Sequence, residues 1–270
     1  MNPDSLRIRP LREFPRAAAL RQSTGALLAR AERILPTMGL HDSTGWKSAR
    51  AAIDRGQYGI RPEEWNADIR DPLMLEVSGG AGEIAWRDTG DSEAFASIRS
   101  QAALASGLAS GNVDRFLESC VAAFSCLEGA VPVRRRGDVI SGQPSDRPVL
   151  FYPRVDDVGA VMAEGLSGWA VGGKPGLLRS IGLYAFFLNA HPFADGNGRV
   201  SRLILNACLR MLGMPLEAVV PFRWMIDASQ GGYKVKIRRV VLFNEWDALI
   251  RFICMSIVVT HEVAKSRRIL

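Results

Sequence analysis

The sequence predicts a mostly α-helical fold: a helical bundle with one short β-hairpin ahead of a central helix, plus an N-terminal segment of mixed character. Three observations predict it. Apolar residues recur on a 3.6-residue period in several long stretches from Ser92 onward. The stretch GLLRSIGLYAFFLNA, 176–190, is apolar nearly all round, as expected for a helix in the middle of a core. Two β-prone runs, DVIS and PVLFY, flank the turn-rich GQPSDR within 138–152.

Taken in order, residues 15–35 carry Ala and Leu at helical spacing with arginines between, and predict one helix or two short ones broken near Gly25. The alternation LMLEV and EIAWR around GGAG, within 73–87, predicts a small hairpin. SEAFASIRSQAALASGLASG and NVDRFLESCVAAFSCLEGA predict two helices, with Asp114 near the second start and Gly129 after its end. After the 138–152 hairpin comes the amphipathic VDDVGAVMAEGLSGWA, closed by Gly172-Gly173. Pro175 then opens the central helix, RVSRLILNACLRMLG follows it, and the tail is again helical. No internal repeat or low-complexity linker divides the chain.

Composition narrows the function classes. The chain has 270 residues, 47% hydrophobic and 23% charged, which suits a soluble globular protein able to bury a large core. No apolar run is long enough to span a membrane; the longest, at 248–259, carries Arg251. The four cysteines, Cys120, Cys126, Cys208 and Cys254, lie in apolar segments without metal-binding spacing, and predict buried, reduced thiols of a cytoplasmic protein. The Arg-rich N-terminus predicts a solvated basic face, and it lacks the apolar core of a secretory signal. Bacterial secretion addresses without such a core leave no trace here, so a secreted effector stays open. The net charge of +6 admits phosphate-bearing ligands, anionic lipid or nucleic acid. However, no helix-turn-helix, aromatic platform or zinc-finger spacing supports nucleic-acid reading by Arg134-Arg135-Arg136 or the basic run 234–239.

Residues 191–202, HPFADGNGRVSR, concentrate the chemistry. Gly196 and Gly198 flank Asn197 and let backbone N–H groups approach a ligand closely. A helix starts there, so its orphan N–H groups and positive dipole end make an anion site. Arg199 and Arg202 share a face of that helix at i,i+3, and suit a di- or triphosphate. Asp195 is a single carboxylate beside the nest, adequate for Mg²⁺ that takes its other ligands from phosphate and water. His191 ends the central helix, and an unprotonated imidazole can accept a proton from a hydroxyl. Phe193 alternates with these polar residues and points to the core. Taken singly, the histidine is a helix cap, the Gly-Asn-Gly a turn and the arginine pair a solvated face. Twelve residues carrying all of them favour a site.

HPFADGNGRVSR resembles the signature of the Fic family, His-x-Phe-x-(Asp/Glu)-Gly-Asn-Gly-Arg-x-x-Arg, at every defined position. The resemblance covers about 95–265, and divides the chain into a segment 1–92 of unknown role and a Fic domain 93–270. It implies a Mg²⁺-dependent protein adenylyltransferase that moves AMP from ATP to a Ser, Thr or Tyr hydroxyl of a target protein. On that reading His191 is the general base, Asp195 holds Mg²⁺, Gly196, Asn197 and Gly198 form the anion hole, and Arg199 and Arg202 bind outer phosphates. The hairpin 138–152 takes the place of the family's flap, which presents the target by strand addition. Many relatives carry an inhibitory helix with (Ser/Thr)-x-x-x-Glu-(Gly/Asn). Here FSCLEG, 124–129, offers Glu128-Gly129, with Phe124 where Ser or Thr is expected. This implies that Glu128 pairs with Arg202 and restrains activity; the alternative is an exposed Glu at a helix end stopped by Gly129. Gly198 is retained where phosphorylating relatives carry Lys, which favours nucleotide transfer. Transfer of another nucleotide or of phosphocholine, and a non-catalytic Fic-fold binding module, remain the alternatives.

Overall fold

The computed structural model describes residues 5–39, 62–69, 96–128, 136–137, 140–141, 149–171 and 176–267. The hairpin expected within 73–87 lies outside them. Helices dominate the described residues: α1 Gln22–Ile34, α2 Pro62–Asp68, α3 Gln101–Ala109, α4 Val113–Glu128, α5 Val158–Ala170, α6 Leu177–Ala190, α7 Asn197–Met211, α8 Phe222–Ala228, α9 Gly232–Phe243 and α10 Asp247–Arg267. Gly25 does not break α1, because a solvent-side glycine costs a helix only about 1 kcal/mol. None of the described helices is long and apolar enough to cross a membrane.

Three short strands accompany the helices: β1 Ser5–Arg7, β2 Ile140–Ser141 and β3 Val149–Phe151. β2 and β3 pair antiparallel, Ile140 opposite Phe151 and Ser141 opposite Leu150. These strands fall within the stretch expected to form a hairpin, while the connecting 142–148 lies outside the described residues. β1 adds in parallel on the other side of β3, Leu6 opposite Leu150, giving the order β1-β3-β2. β3 is therefore the central strand.

α6 is the axis of the bundle. Eleven of its fourteen residues are buried, Leu177, Ser180 and Ile181 through Phe187 among them, so the all-round apolar pattern does what it predicts. It packs chiefly on α5 and α7, with α1, α9 and α10 on its remaining sides. Close approach to α5 is allowed by Gly165, where a Cβ would come within 2.9 Å of the Phe186 Cβ.

The N-terminal segment corrects the expectation of a solvated basic face. Arg9, Arg12 and Arg16 are exposed, but Ile8, Leu11 and Pro15 between them are buried. Phe14 stacks on Phe186 with ring centroids 4.7 Å apart, in a slot opened by Gly168 and Gly182. A Cβ on Gly182 would lie 2.4 Å from the Phe14 ring. The buried Asn189 of α6 accepts the Leu11 N–H at 2.8 Å and donates to the Arg9 carbonyl at 3.0 Å. Residues 5–39 are thus built into the same hydrophobic core as the helices that follow. Alternating arginines hid this, because a strap that crosses a core edge buries every few residues with no regular period.

Farther out, Arg251 of α10 makes a two-pronged ion pair with the buried Asp68 of α2, at 2.6 and 2.9 Å. Arg210 of α7 is buried and donates to the carbonyls of Ser97, Leu216 and Ala218, which ties 96–99 and the loop after α7 to the bundle. Burial pushes its guanidinium down to about 10.

The thiols also differ from expectation. Cys120, Cys208 and Cys254 are buried, and burial pushes the Cys208 thiol up to about 12, whereas Cys126 is exposed on α4. Position 126 falls on the helix face away from the core. A thiol reagent applied to the folded protein should modify one of the four cysteines quickly, and Cys126→Ser should remove that reaction. Separately, Asn189→Ala leaves the Leu11 N–H and the Arg9 carbonyl without their buried partner. It should cost about 1–3 kcal/mol in denaturant unfolding and open the N-terminal strap to proteolysis.

Candidate active site

The site is built on the turn between α6 and α7. Pro192 disfavours a right-handed helical backbone at the residue before it. His191 accordingly leaves the helix in the left-handed region, with φ 49° and ψ 58°, while its N–H still closes onto the Phe187 carbonyl at 3.0 Å. Phe193 is fully buried and packs against Phe187, so the chain is pulled into the core two residues after the histidine. Asn197 then bridges the turn. Its side chain accepts the Phe193 N–H at 3.0 Å and donates to the Phe193 carbonyl at 2.8 Å, both bonds buried.

Gly196 caps α7 with φ 85°. Glycine offers no side chain to cap this helix start, so the first N–H groups of α7 have no partner from the N-cap residue itself. A Cβ at Gly196 would meet the Phe124 ring at 2.4 Å, so glycine is required twice here, by backbone and by space. Gly198 differs. It has ordinary helical backbone, and a Cβ there would lie 3.5 Å from a terminal nitrogen of Arg202. The Arg202 guanidinium therefore folds back over the first turn of its own helix while the residue stays buried.

Arg199 is placed otherwise. Its guanidinium pairs with Asp195 at 2.7 Å and lies 5.1 Å from the centre of the Phe124 ring. The two arginines expected to reach over the nest thus stand in different surroundings, one half-buried and engaged by a carboxylate, one almost fully inside. The Asp195 side chain is 90% exposed, so this i,i+4 pair is worth about 0.3–0.5 kcal/mol.

A single exposed carboxylate next to a backbone nest fits an ion that draws its other ligands from phosphate and water. Among the described residues no group of three His, Cys, Asp or Glu side chains forms a protein-only metal cage. Within 191–202 the carboxylate that such an ion could use is Asp195, which Arg199 holds at 2.7 Å.

Three features have no counterpart in the sequence reading. The Tyr152 ring, just after β3, stacks on the His191 imidazole with centroids 3.7 Å apart and planes 17° from parallel. Phe124 of α4 covers Gly196 and Arg199. Tyr184 and Tyr233 share a hydrogen bond between their hydroxyls. Burial, followed by Tyr184, holds the Tyr233 phenol well above its usual range, and the Arg202 charge works against them. No local pattern signals these contacts, since the partners lie 39 or more residues apart. Glu128 is the last residue of α4, one turn beyond Phe124, and its side chain lies outside the described residues. Within the basic run 234–239, Lys234 is exposed but Lys236 is buried, so the run is not a continuous exposed stripe.

The bundle thus ends one core helix in a histidine and starts the next at a glycine turn, with one arginine paired on the outside and one folded within. Residues 151–209, from the end of β3 through most of α7, match the model of the Fic/DOC family. Among solved structures, a Fic family protein from Desulfovibrio desulfuricans G20 shares the fold, with a TM-score of 0.54 and 19% identity over 97% of this chain and 77% of that one. Fic-1 from C. elegans aligns over 94% of this chain and 78% of its own, with a TM-score of 0.43 and 16% identity. No curated protein matches the sequence.

Replacing Gly196 with Ala should destabilise the protein by at least about 1–3 kcal/mol, from backbone strain at positive φ together with the clash on Phe124. In a Phe124→Ala background the penalty should fall to its backbone part. A double-mutant cycle in urea measures the difference.

Proposed function

We propose that the protein transfers AMP from ATP to a Ser, Thr or Tyr hydroxyl of another protein. The observation that carries this reading is the turn 191–198, in which His191 and the open N-terminus of α7 are fixed to one short loop by the buried Asn197 bridge. The fold class supports a transferase, and the retained Gly198 supports nucleotide transfer over phosphoryl transfer.

In this reading the first N–H groups of α7, with Arg202 folded over Gly198, receive the phosphates of the nucleotide. Arg199 leaves Asp195 for an outer phosphate, and Asp195 would then hold Mg²⁺, which would supply charge that neutralises the phosphates. The imidazole of His191 takes the proton of the incoming hydroxyl. The hydroxyl oxygen bonds to the α-phosphorus, the bond to the bridging oxygen breaks, and pyrophosphate departs. The chain contributes placement and charge rather than covalent chemistry.

The target is expected at the β2–β3 pair. β1 already occupies the far side of β3, so an extended segment would add at the β2 edge. α4 brings Phe124 onto Gly196, and Glu128 follows Phe124 by about one turn of the same helix, which supports a role near the site. Glu128 is accordingly proposed to pair with Arg202 and hold back the nucleotide's outer phosphates.

Purified wild type, Glu128→Gly and His191→Ala, each incubated with Mg²⁺ and ATP, test both ideas through intact mass. An AMP-sized addition is expected in Glu128→Gly, weaker in wild type and absent in His191→Ala, a loss of about a hundredfold or more. Equal addition in wild type and Glu128→Gly would sink the brake. No addition with any nucleotide triphosphate or with CDP-choline would sink the transferase.

A further inference from the structure

We infer that Tyr152 is a positioning residue for the His191 imidazole, and that β1 holds Tyr152 in place; this rests on the reading of His191 as proton acceptor. His191 leaves α6 in the left-handed region, and only three non-glycine residues among those described have positive φ. Its backbone sets the origin of the ring, but side-chain rotation remains to be fixed. The Tyr152 ring lies flat against one face of the imidazole at 3.7 Å, so rotation out of that plane meets the phenol.

Tyr152 is in turn held from a distant part of the chain. Its carbonyl accepts a hydrogen bond from the Arg7 guanidinium at 3.1 Å, and that guanidinium also lies 5.5 Å from the centre of the Phe151 ring. The Ile8 N–H donates to the Phe151 carbonyl at 2.7 Å, extending the β1–β3 ladder to the residue before Tyr152. Residues 5–8 thus register the end of β3 against the bundle, and the end of β3 carries the ring that faces His191. Since β2 pairs with the same strand, a segment bound at the β2 edge and the imidazole are referred to one strand. This assigns a part in the site to the N-terminal residues.

The test uses the full chain and reads the histidine directly. Imidazole proton signals of His191, assigned by their loss in His191→Ala, should be displaced upfield by the Tyr152 ring. Tyr152→Phe should keep that displacement, and Tyr152→Leu should abolish it. Arg7→Ala, which leaves the ring but frees its carbonyl anchor, should reduce it, and this variant decides the matter if Tyr152→Leu does not fold. In transfer assays Tyr152→Leu should lower kcat about tenfold to a hundredfold with KM for ATP nearly unchanged, and Tyr152→Phe should restore most of it. Unaltered His191 signals in both Tyr152→Leu and Arg7→Ala would overturn the inference. So would a kcat loss in Tyr152→Leu that Tyr152→Phe does not rescue. Because the resonance measurement needs no turnover, a failure of the proposed transfer would leave this result standing on its own.

Discussion

Two hydrogen bonds between Asn197 and the backbone of Phe193 constrain everything else in the site. Both are buried, so neither competes with water, and losing the side chain would strand a donor and an acceptor together. They close a five-residue turn whose inner end is the fully buried Phe193. The turn must therefore move with the core or not at all. His191 stands just before it and the N-terminus of α7 just after it, so the histidine backbone and the helix start keep a fixed separation. Charged contacts could not do this. The Asp195–Arg199 pair is exposed and worth a few tenths of a kcal/mol, a contact suited to being exchanged rather than to setting geometry.

Rigidity at the turn has to be inherited from α6, and the burial of that helix supplies it. Its neighbours approach so closely that glycines are needed at Gly165, Gly168 and Gly182. Two of these make room for Phe14, which arrives from the N-terminal strap. The same helix holds that strap through Asn189, eight residues before Asn197. One element thus carries both a polar tie to the N-terminus and the entry to the functional turn. A core that is crystal-like in density transmits such placement, because no side chain can yield without displacing another.

Local physics made much of this legible. The all-round apolar run 176–190 could only be a central helix, and Pro192, Gly196 and Gly198 marked where it must end and the next begin. The strands found at 140–141 and 149–151 lie where β-prone runs and turn residues put them. What stayed hidden was non-local. β1 is three residues long and pairs with a strand about 144 positions away, and nothing in SLR announces a partner. The exposure of Cys126 depends on which face of α4 meets α3 and α7, a matter of neighbours rather than of the apolar residues around it. Tyr152 reads as one more aromatic at a strand end until the fold lays it on His191. Phe124 reads as a departure from the inhibitory pattern, and only the fold shows the ring filling the space that Gly196 leaves.

That last contact changes how α4 relates to the site. A serine or threonine at 124 would leave the glycine face of the nest open and could offer a hydroxyl to nearby backbone. A phenyl ring instead seals the nest from the α4 side and presents a π-face to Arg199. Arg199 is thus held from two directions, by a carboxylate on its own turn and by an aromatic from another helix, while Arg202 is held inside near Tyr233. The first arginine is the less constrained, since its pair is exposed and its ring contact tolerates small shifts. The second cannot move without disturbing buried groups. The division follows from burial alone: the inner guanidinium is fixed among buried groups, and the outer one holds an exposed pair.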